Sequence, residues 1–338
     1  MTANHFVSRA PANSMILGEH SVVYGQPAIA CGLEQWIEIQ WTPIHTPTIE
    51  IESELGSFQT DLDNIQIDSK LKFIGHALKA FQKQLSSQQQ GWQLKVHSEF
   101  SSTIGLGSSA AVLAACLAGL NHVCRTNQDF SELWHIGKKI IVDIQGRGSA
   151  TDLAASLFGG LVFFQPPTKK QRLKIESISA NLNLILVYCG YKTATAEVLA
   201  QVAQNWQSKP QELTKIYQKM GTITQHAYQA LMHNRLSVFF LCIEQYQACM
   251  RELGVSDATL EKIIDLLNHC PNIQAAKISG SGLGDCALGI GEFFPERDDN
   301  NLLTHCPIKT ELSEYLQLQL PISNQGAHLI HTMKKDIH

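Results

Sequence analysis

Charge is scarce in this chain of 338 residues: Asp, Glu, Lys and Arg make up 17% of it, against a typical ~25%. The 26 basic and 30 acidic residues leave a formal net charge of −4, so no strong electrostatic case exists for nucleic acid or an anionic membrane as partner. Disorder is excluded too, because 44% of the residues are apolar and can bury a core. The nine cysteines (Cys31, Cys116, Cys124, Cys189, Cys242, Cys249, Cys270, Cys286 and Cys306) contain no Cys-x-x-Cys pair. That argues against a zinc site or a disulfide framework and for a reducing compartment. No basic cluster followed by an apolar stretch opens the sequence, so no secretory signal is expected. The longest apolar run, 110–120, is far short of the ~18 residues that a membrane span needs. Also missing is any Gly-x-x-x-x-Gly-Lys-Ser/Thr run, which removes the P-loop folds. The expectation is a cytoplasmic protein of roughly two domains, at about 150 residues each.

What is present is a mixture of strand-like and helical patterns with unevenly placed glycines. Residues 29–41 and 92–96 read as strands, and Leu71, Ile74, Leu78 and Phe81 fall at helical spacing. A small, Ala-rich helix runs to about Cys124, a second spans about 131–145, and 161–164 is strand-like. Pro166-Pro167-Thr-Lys-Lys is the clearest candidate for a domain seam. Beyond it come an apolar strand at 182–188, long helices between 194 and 268, two strands at 273–278 and 286–290 around a glycine-rich turn, and a closing strand at 315–320. Strands and helices in runs predict an α+β fold rather than strict βαβ alternation. Leu199, Val202 and Trp206, then Leu236, Phe240 and Ile243, mark core faces of the long helices. Near the end, His328, His331 and His338 sit in what reads as a loose polar tail rather than a metal site.

Three small-residue clusters carry the chemistry: 11–25, around Gly18-Glu19-His20; 105–111, Gly-Leu-Gly-Ser-Ser-Ala-Ala; and 279–285, Ser-Gly-Ser-Gly-Leu-Gly-Asp. In the second, backbone N–H groups unobstructed by Cβ atoms converge from loop and first helical turn, where a phosphate gains hydrogen bonds and the favourable end of the helix dipole. The hydroxyls of Ser108 and Ser109 add contacts for phosphate oxygens or Mg²⁺. Gly105-x-Gly107-x-x-Ala110 also matches the dinucleotide fingerprint, which keeps a dehydrogenase reading open. A purely structural reading stands beside both: a close-packed helix capped by Ser108.

In order and wording the three clusters resemble the signature motifs of the GHMP small-molecule kinases, and Gly18-Glu19-His20-Ser-Val-Val-Tyr24-Gly25 is most similar to the mevalonate kinase branch. The resemblance runs from about Phe6 to Ile290. It implies a two-domain fold, a ribosomal-protein-S5-like domain at 1–178 and a ferredoxin-like domain at 179–338, with ATP and a small-molecule substrate, mevalonate or similar, in the cleft. It implies that Gly105, Leu106, Gly107, Ser108, Ser109 and Ala110 wrap the ATP phosphates, that Ser109 approaches Mg²⁺, and that Gly280, Ser281 and Gly282 buttress that loop. Asp152, in Gly146-x-x-Ser149-x-Thr151-Asp152 before Gly159-Gly160, matches the catalytic aspartate that accepts the hydroxyl proton; read structurally, it caps the helix that follows. Asn13, Glu19, His20 and Thr195 match positions near the substrate, although Glu19 could instead pair within its loop and Thr195 cap a helix. Relatives also form homodimers through helices such as those between 194 and 268.

Two positions depart from the family pattern. Asn13 stands where the family has a lysine, and an amide brings no positive charge to the transferring phosphoryl group. Ile141 stands where the family has an acidic metal ligand, and Asp143, about 200° further round the helix, is no simple replacement. Three functions follow: a mevalonate kinase whose missing groups come from elsewhere, with Lys192, Arg9 or Arg147 as cation and Glu19 as metal ligand; a kinase of another small hydroxy acid or sugar; or a nucleotide-binding protein with little turnover.

Overall fold

β-Branched and aromatic residues alternate along the central strand β2 (Ala28–Ile44), and this strand organises the first half of the chain. It pairs antiparallel with β1 (Phe6–Leu17) on one edge and, on the other, with β5 (Gly91–Ser98) along one part of its length and β6 (Leu161–Gln165) along another. β3 (Thr48–Ser53) joins β5 in parallel and forms a hairpin with β4 (Gly56–Asp61), while β7 (Lys174–Ile178) pairs with β6. The computed structural model describes residues 5–101, 104–169, 171–291, 296–297, 303–305 and 312–330.

Helices α1 (Lys72–Ala80), α2 (Gln82–Gln88), α3 (Ser108–Val123), α4 (Phe130–Gln145) and α5 (Thr151–Phe158) accompany this sheet. α3 is buried nearly all round, as a helix without a polar face must be. Its small residues let it approach the strands closely: Gly119 lies against the Trp41 ring, where a Cβ would not fit. The second half is a four-stranded antiparallel sheet of β8 (Asn183–Tyr188), β9 (Ile273–Ser279), β10 (Cys286–Gly291) and β13 (Leu316–Leu320), ordered β13-β8-β10-β9. In chain order that is fourth, first, third, second, the ferredoxin-like arrangement. Helices α6 (Thr195–Asn205), α7 (Pro210–Met232), α8 (Leu236–Leu253) and α9 (Ala258–Asn268) join its first two strands. A two-residue strand β11 (Glu296–Arg297) pairs with β12 (Leu303–His305) before β13.

The α+β class is what the sequence predicts, and three local readings change. The stretch 11–17, singled out in sequence only as part of a small-residue cluster, lies on β1; Pro11 is accommodated because the pairing register shifts between Pro11 and Ala12, a position where a missing N–H costs no ladder bond. Pro166-Pro167 turns the β6–β7 hairpin inside the first sheet and is no seam. His328 is not in a loose tail: β14 (His328–Ile330) pairs with β1, and the His328 ring accepts a hydrogen bond from Arg9 Nε at 3.0 Å. His331 and His338 lie outside the described residues, as does Cys306. The eight cysteines that are described are all free. Among the described residues, no helix is long and apolar enough to cross a membrane.

Candidate active site

The three small-residue clusters meet at one cavity of about 650 Å³. Each is held by bonds that its sequence alone does not announce. In the second cluster, Gly105 and Gly107 adopt φ of 73° and 66°, a left-handed conformation that glycine takes without penalty. Asn13 fastens the loop from β1: its backbone N–H donates to the Leu106 carbonyl at 3.1 Å, and its side-chain amide donates to the Gly107 carbonyl at 3.2 Å and to Ser156 Oγ at 2.9 Å. Gly107 caps α3 without any side-chain cap bond. Ser108 is therefore not the cap; Ala110 and Ala111 N–H donate to the Gly107 carbonyl, each at 3.0 Å, while Ser108 and Ser109, which open α3, line the cavity at the positive end of the helix dipole.

The loop before α5 is built in the same manner. Ala150 adopts φ 62°, a strained choice for a residue with a Cβ, and its carbonyl accepts from Trp134 Nε1 at 2.8 Å. Lys138 donates to the Gly148 carbonyl. The N-cap of α5 is Ala150, so Asp152 is not a cap; it sits in the first helical turn with its side chain exposed to the cavity. Enclosure by the cavity walls raises its carboxyl above the usual range, and Lys192 opposes that rise. Thr195 opens α6 without capping it and also lines the cavity.

The first cluster carries a second kind of chemistry. Lys277, completely buried on β9, donates to Glu19 Oε1 at 2.5 Å. Burial raises the Glu19 carboxyl and lowers the Lys277 ammonium, and their mutual attraction opposes both shifts. Glu19 thus spends one oxygen on a cross-sheet ion pair, and Oε2 is left buried without a hydrogen-bond partner. His20, at φ 58°, donates through Nε2 to the Ser281 carbonyl at 2.8 Å, which assigns that nitrogen the proton. Burial lowers its pKa from the usual 6.5, so the ring is neutral and the buried, unpartnered Nδ1 is an acceptor. Tyr246 Oη accepts from Gly18 N–H and donates to the Glu19 carbonyl, at 3.0 and 2.8 Å, and Ser14 and Ser279 hydroxyls meet at 3.1 Å. These bonds tie β1 and the 18–25 turn to the second sheet.

In the third cluster, the left-handed run Gly280, Gly282, Leu283, Gly284 and Asp285 is tied down by Leu283 N–H to the Val255 carbonyl (2.9 Å) and Asp285 N–H to the Tyr191 carbonyl (2.8 Å). Lys192 reaches from the β8–α6 loop to within 3.8 Å of Asp285 Oδ2. Of the residues expected at the site, Asn13, Glu19, His20, Gly105, Gly107, Ser108, Ser109, Ala110, Asp152, Thr195, Gly280 and Ser281 line the cavity; Leu106 and Gly282 do not. Leu106 is buried in the core, and Gly282 backs onto Val255.

Ile141 does face the cavity, so its lack of a carboxylate is felt there, whereas Asp143 is exposed and outside it. Of the three cations considered from sequence, Arg9 is excluded: it lies over Trp36 (4.0 Å to the ring centroid), 3.6 Å from Glu38. Arg147 and Lys192 line the cavity, with the Arg147 guanidinium donating to the Ala196 carbonyl at 2.9 Å. Sequence reasoning missed Asp285 as a cavity residue and Lys277 as the partner of Glu19. Lys277 carried a signal, the lone charge on its strand, between Ala275-Ala276 and Ile278.

Comparison with known proteins agrees with this geometry. Residues 72–160 match the family described as GHMP kinases N terminal domain. The mevalonate kinase of Archaeoglobus fulgidus is 28% identical over 284 residues, covering 84% of this chain and 92% of that protein. Among solved structures, L. major mevalonate kinase in complex with R-mevalonate superposes with a TM-score of 0.68 at 18% identity, covering 96% of this chain and 97% of that one. Lactococcus lactis galactokinase complexed with galactose does so with a TM-score of 0.77 at 14% identity, covering 96% and 95%. The chain is a small-molecule kinase, and its residues 72–160 match the N-terminal domain of GHMP kinases. Mevalonate kinases of Pyrococcus furiosus and Thermococcus sibiricus are also among the curated proteins it resembles.

Proposed function

We propose that this kinase transfers the γ-phosphoryl group of ATP to mevalonate, giving 5-phosphomevalonate for isoprenoid synthesis in the cytoplasm. The observation that carries the reading is the convergence of Asp152, Lys192 and the glycine loop 105–110 on a single cavity. The loop amides and the α3 N-terminus take the phosphates. The Asp152 carboxylate accepts the proton of the attacking hydroxyl, a role for which a raised pKa is suited because the base then matches neutral pH more closely. Lys192 supplies the positive charge that Asn13 cannot, next to the transferring group. His20 Nδ1 accepts a hydrogen bond from a substrate hydroxyl, and Thr195 lines the same cavity. Phosphoryl transfer asks for little more than this positioning and charge.

Mg²⁺ suits the residues present. Among the described residues no three His, Cys, Asp or Glu side chains gather as a metal cage, but Mg²⁺ is held by one or two protein oxygens together with phosphates. The Ser109 hydroxyl, at the first turn of α3, is one such oxygen. When bound, the ion neutralises charge on the phosphates.

The division at 178/179 remains our proposal for the two domains, with β14 contributed to the first by the end of the second. Mevalonate is favoured over a sugar by the lining: Met15, Val22, Val23, Ile141, Ile144 and Leu199 offer apolar surface to methyl and methylene groups, and Lys192 and Arg147 offer cations to a carboxylate. A polyhydroxylated sugar asks instead for many hydrogen-bonding partners. The test is ADP release from Mg-ATP with mevalonate, phosphomevalonate, homoserine or galactose as acceptor. Release with mevalonate alone is expected; release with galactose instead, or with none of the four, sinks the assignment.

A further inference from the structure

Among the described residues, three carboxylates line the cavity: Glu19, Asp152 and Asp285. The first has one oxygen bound to buried Lys277, and the second is the proton acceptor in the reading above. Asp285 is unexplained, and its setting is unusual. It adopts φ 70° without being glycine, and backbone bonds on both sides, to the Tyr191 carbonyl (2.8 Å) and from Cys189 N–H (2.9 Å), fix that conformation. So fixed, its carboxylate lies against Gly105, leaving no room there for a Cβ. Oδ2 faces Lys192 at 3.8 Å; Oδ1 is buried and has no hydrogen-bond partner.

A carboxylate held at the mouth of an anion-binding loop is electrostatically wrong for a polyphosphate, since like charges in a partly desolvated site repel strongly. Lys192 offsets only part of this, because it also acts on Asp152. A divalent cation between the carboxylate and the phosphates removes the conflict and gives Oδ1 its missing partner. We propose that Asp285, which lines the same cavity as Ser109 and Ile141, is the acidic ligand of the nucleotide-bound divalent cation in this enzyme, where Ile141 has no oxygen to offer. It rests on the reading of loop 105–110 as the phosphate site but not on the identity of the acceptor. When the cation takes Asp285, Lys192 is released toward Asp152 and the phosphates, so one carboxylate couples metal binding to the placement of the catalytic charge.

The test uses the whole protein, Mn²⁺ and a non-hydrolysable ATP analogue, with no acceptor present, so a wrong acceptor assignment would not affect it. Asp285→Asn keeps size and the left-handed preference while removing the charge. Mn²⁺ binding to the protein–analogue complex, followed by water-proton relaxation, is expected to weaken about 10- to 100-fold. Analogue affinity in the presence of a chelator is expected to hold or rise, because a repulsive charge has gone. Asp285→Gly, which relieves the backbone, is expected to show the same metal loss. Unchanged Mn²⁺ affinity in Asp285→Asn would overturn the proposal. So would an equal fall in analogue affinity with and without Mn²⁺, since that is the signature of a residue that merely supports the loop.

Discussion

Two lysine–carboxylate pairs border the same cavity and are built for opposite ends. Lys277 and Glu19 sit 2.5 Å apart with essentially no exposure; Lys192 and Asp285 sit 3.8 Å apart with 40% and 14% of their side chains exposed. Removing charges from water is costly, and only a short, well-partnered contact offsets it. The first pair is short, with Glu19 Oε2 alone left unpartnered, and lies between the 18–25 turn and β9, so it works as a staple between the halves. The second is longer and open to water on the lysine side, so the lysine can change partner at little cost, which suits a group that must answer to a nucleotide, a metal and a substrate. The difference shows that position in the cavity does not by itself make a charge catalytic; freedom to change partners does.

The largest effect expected from this contrast is on stability. Lys277→Met leaves Glu19 buried without its partner and should cost about 3–5 kcal/mol in chemical denaturation; a cost below about 1 kcal/mol would remove the staple from the account. Lys192→Met should do the reverse. Its unfolding midpoint should stay within the small range of an exposed pair, while kcat falls about 100-fold, as when one transition-state donor is lost. An enzyme that loses stability and keeps its rate would show that the roles have been assigned the wrong way round. The smallest effect is on pH dependence. Asp152 must be deprotonated to act, and enclosure already raises its carboxyl while Lys192 lowers it. The rate therefore falls as pH drops through that raised value, and in Lys192→Met this acid limb should move to higher pH. A limb that stays in place would separate Lys192 from Asp152.

Much of the site was legible because glycines and small residues announce backbone close to a ligand. Gly105, Gly107 and Gly280 reach the cavity as their pattern implies, and the helix after Gly107 begins where Ser108 follows it. The strands of the second sheet were also visible, as apolar runs on either side of the glycine turn. What was hidden depends on tertiary partners. The 11–17 strand carries Pro11, which reads as a breaker until the register shift in its pairing with β2 is seen. The β3–β4 hairpin at 48–61 has alternation too polar to stand out, and β14 is a strand only because β1 offers it an edge. Asn13 looks like a lost lysine in sequence. In three dimensions its amide ties β1 to the 105–110 loop and to Ser156, work that an ammonium, with three donors and no acceptor, performs differently. Asp285 was hidden for the same reason: only the left-handed backbone at that position aims its carboxylate at Gly105.

The central claim is that Asp152 drives phosphoryl transfer to mevalonate from a cavity whose charges can change partners. Transfer of the γ-phosphoryl group from ATP to mevalonate in a single turnover, by the wild-type enzyme and by Asp152→Asn, tests it most directly. The account predicts 5-phosphomevalonate from the wild type and a loss of at least about 100-fold in the variant, with ATP affinity nearly unchanged. Comparable turnover by Asp152→Asn would contradict it.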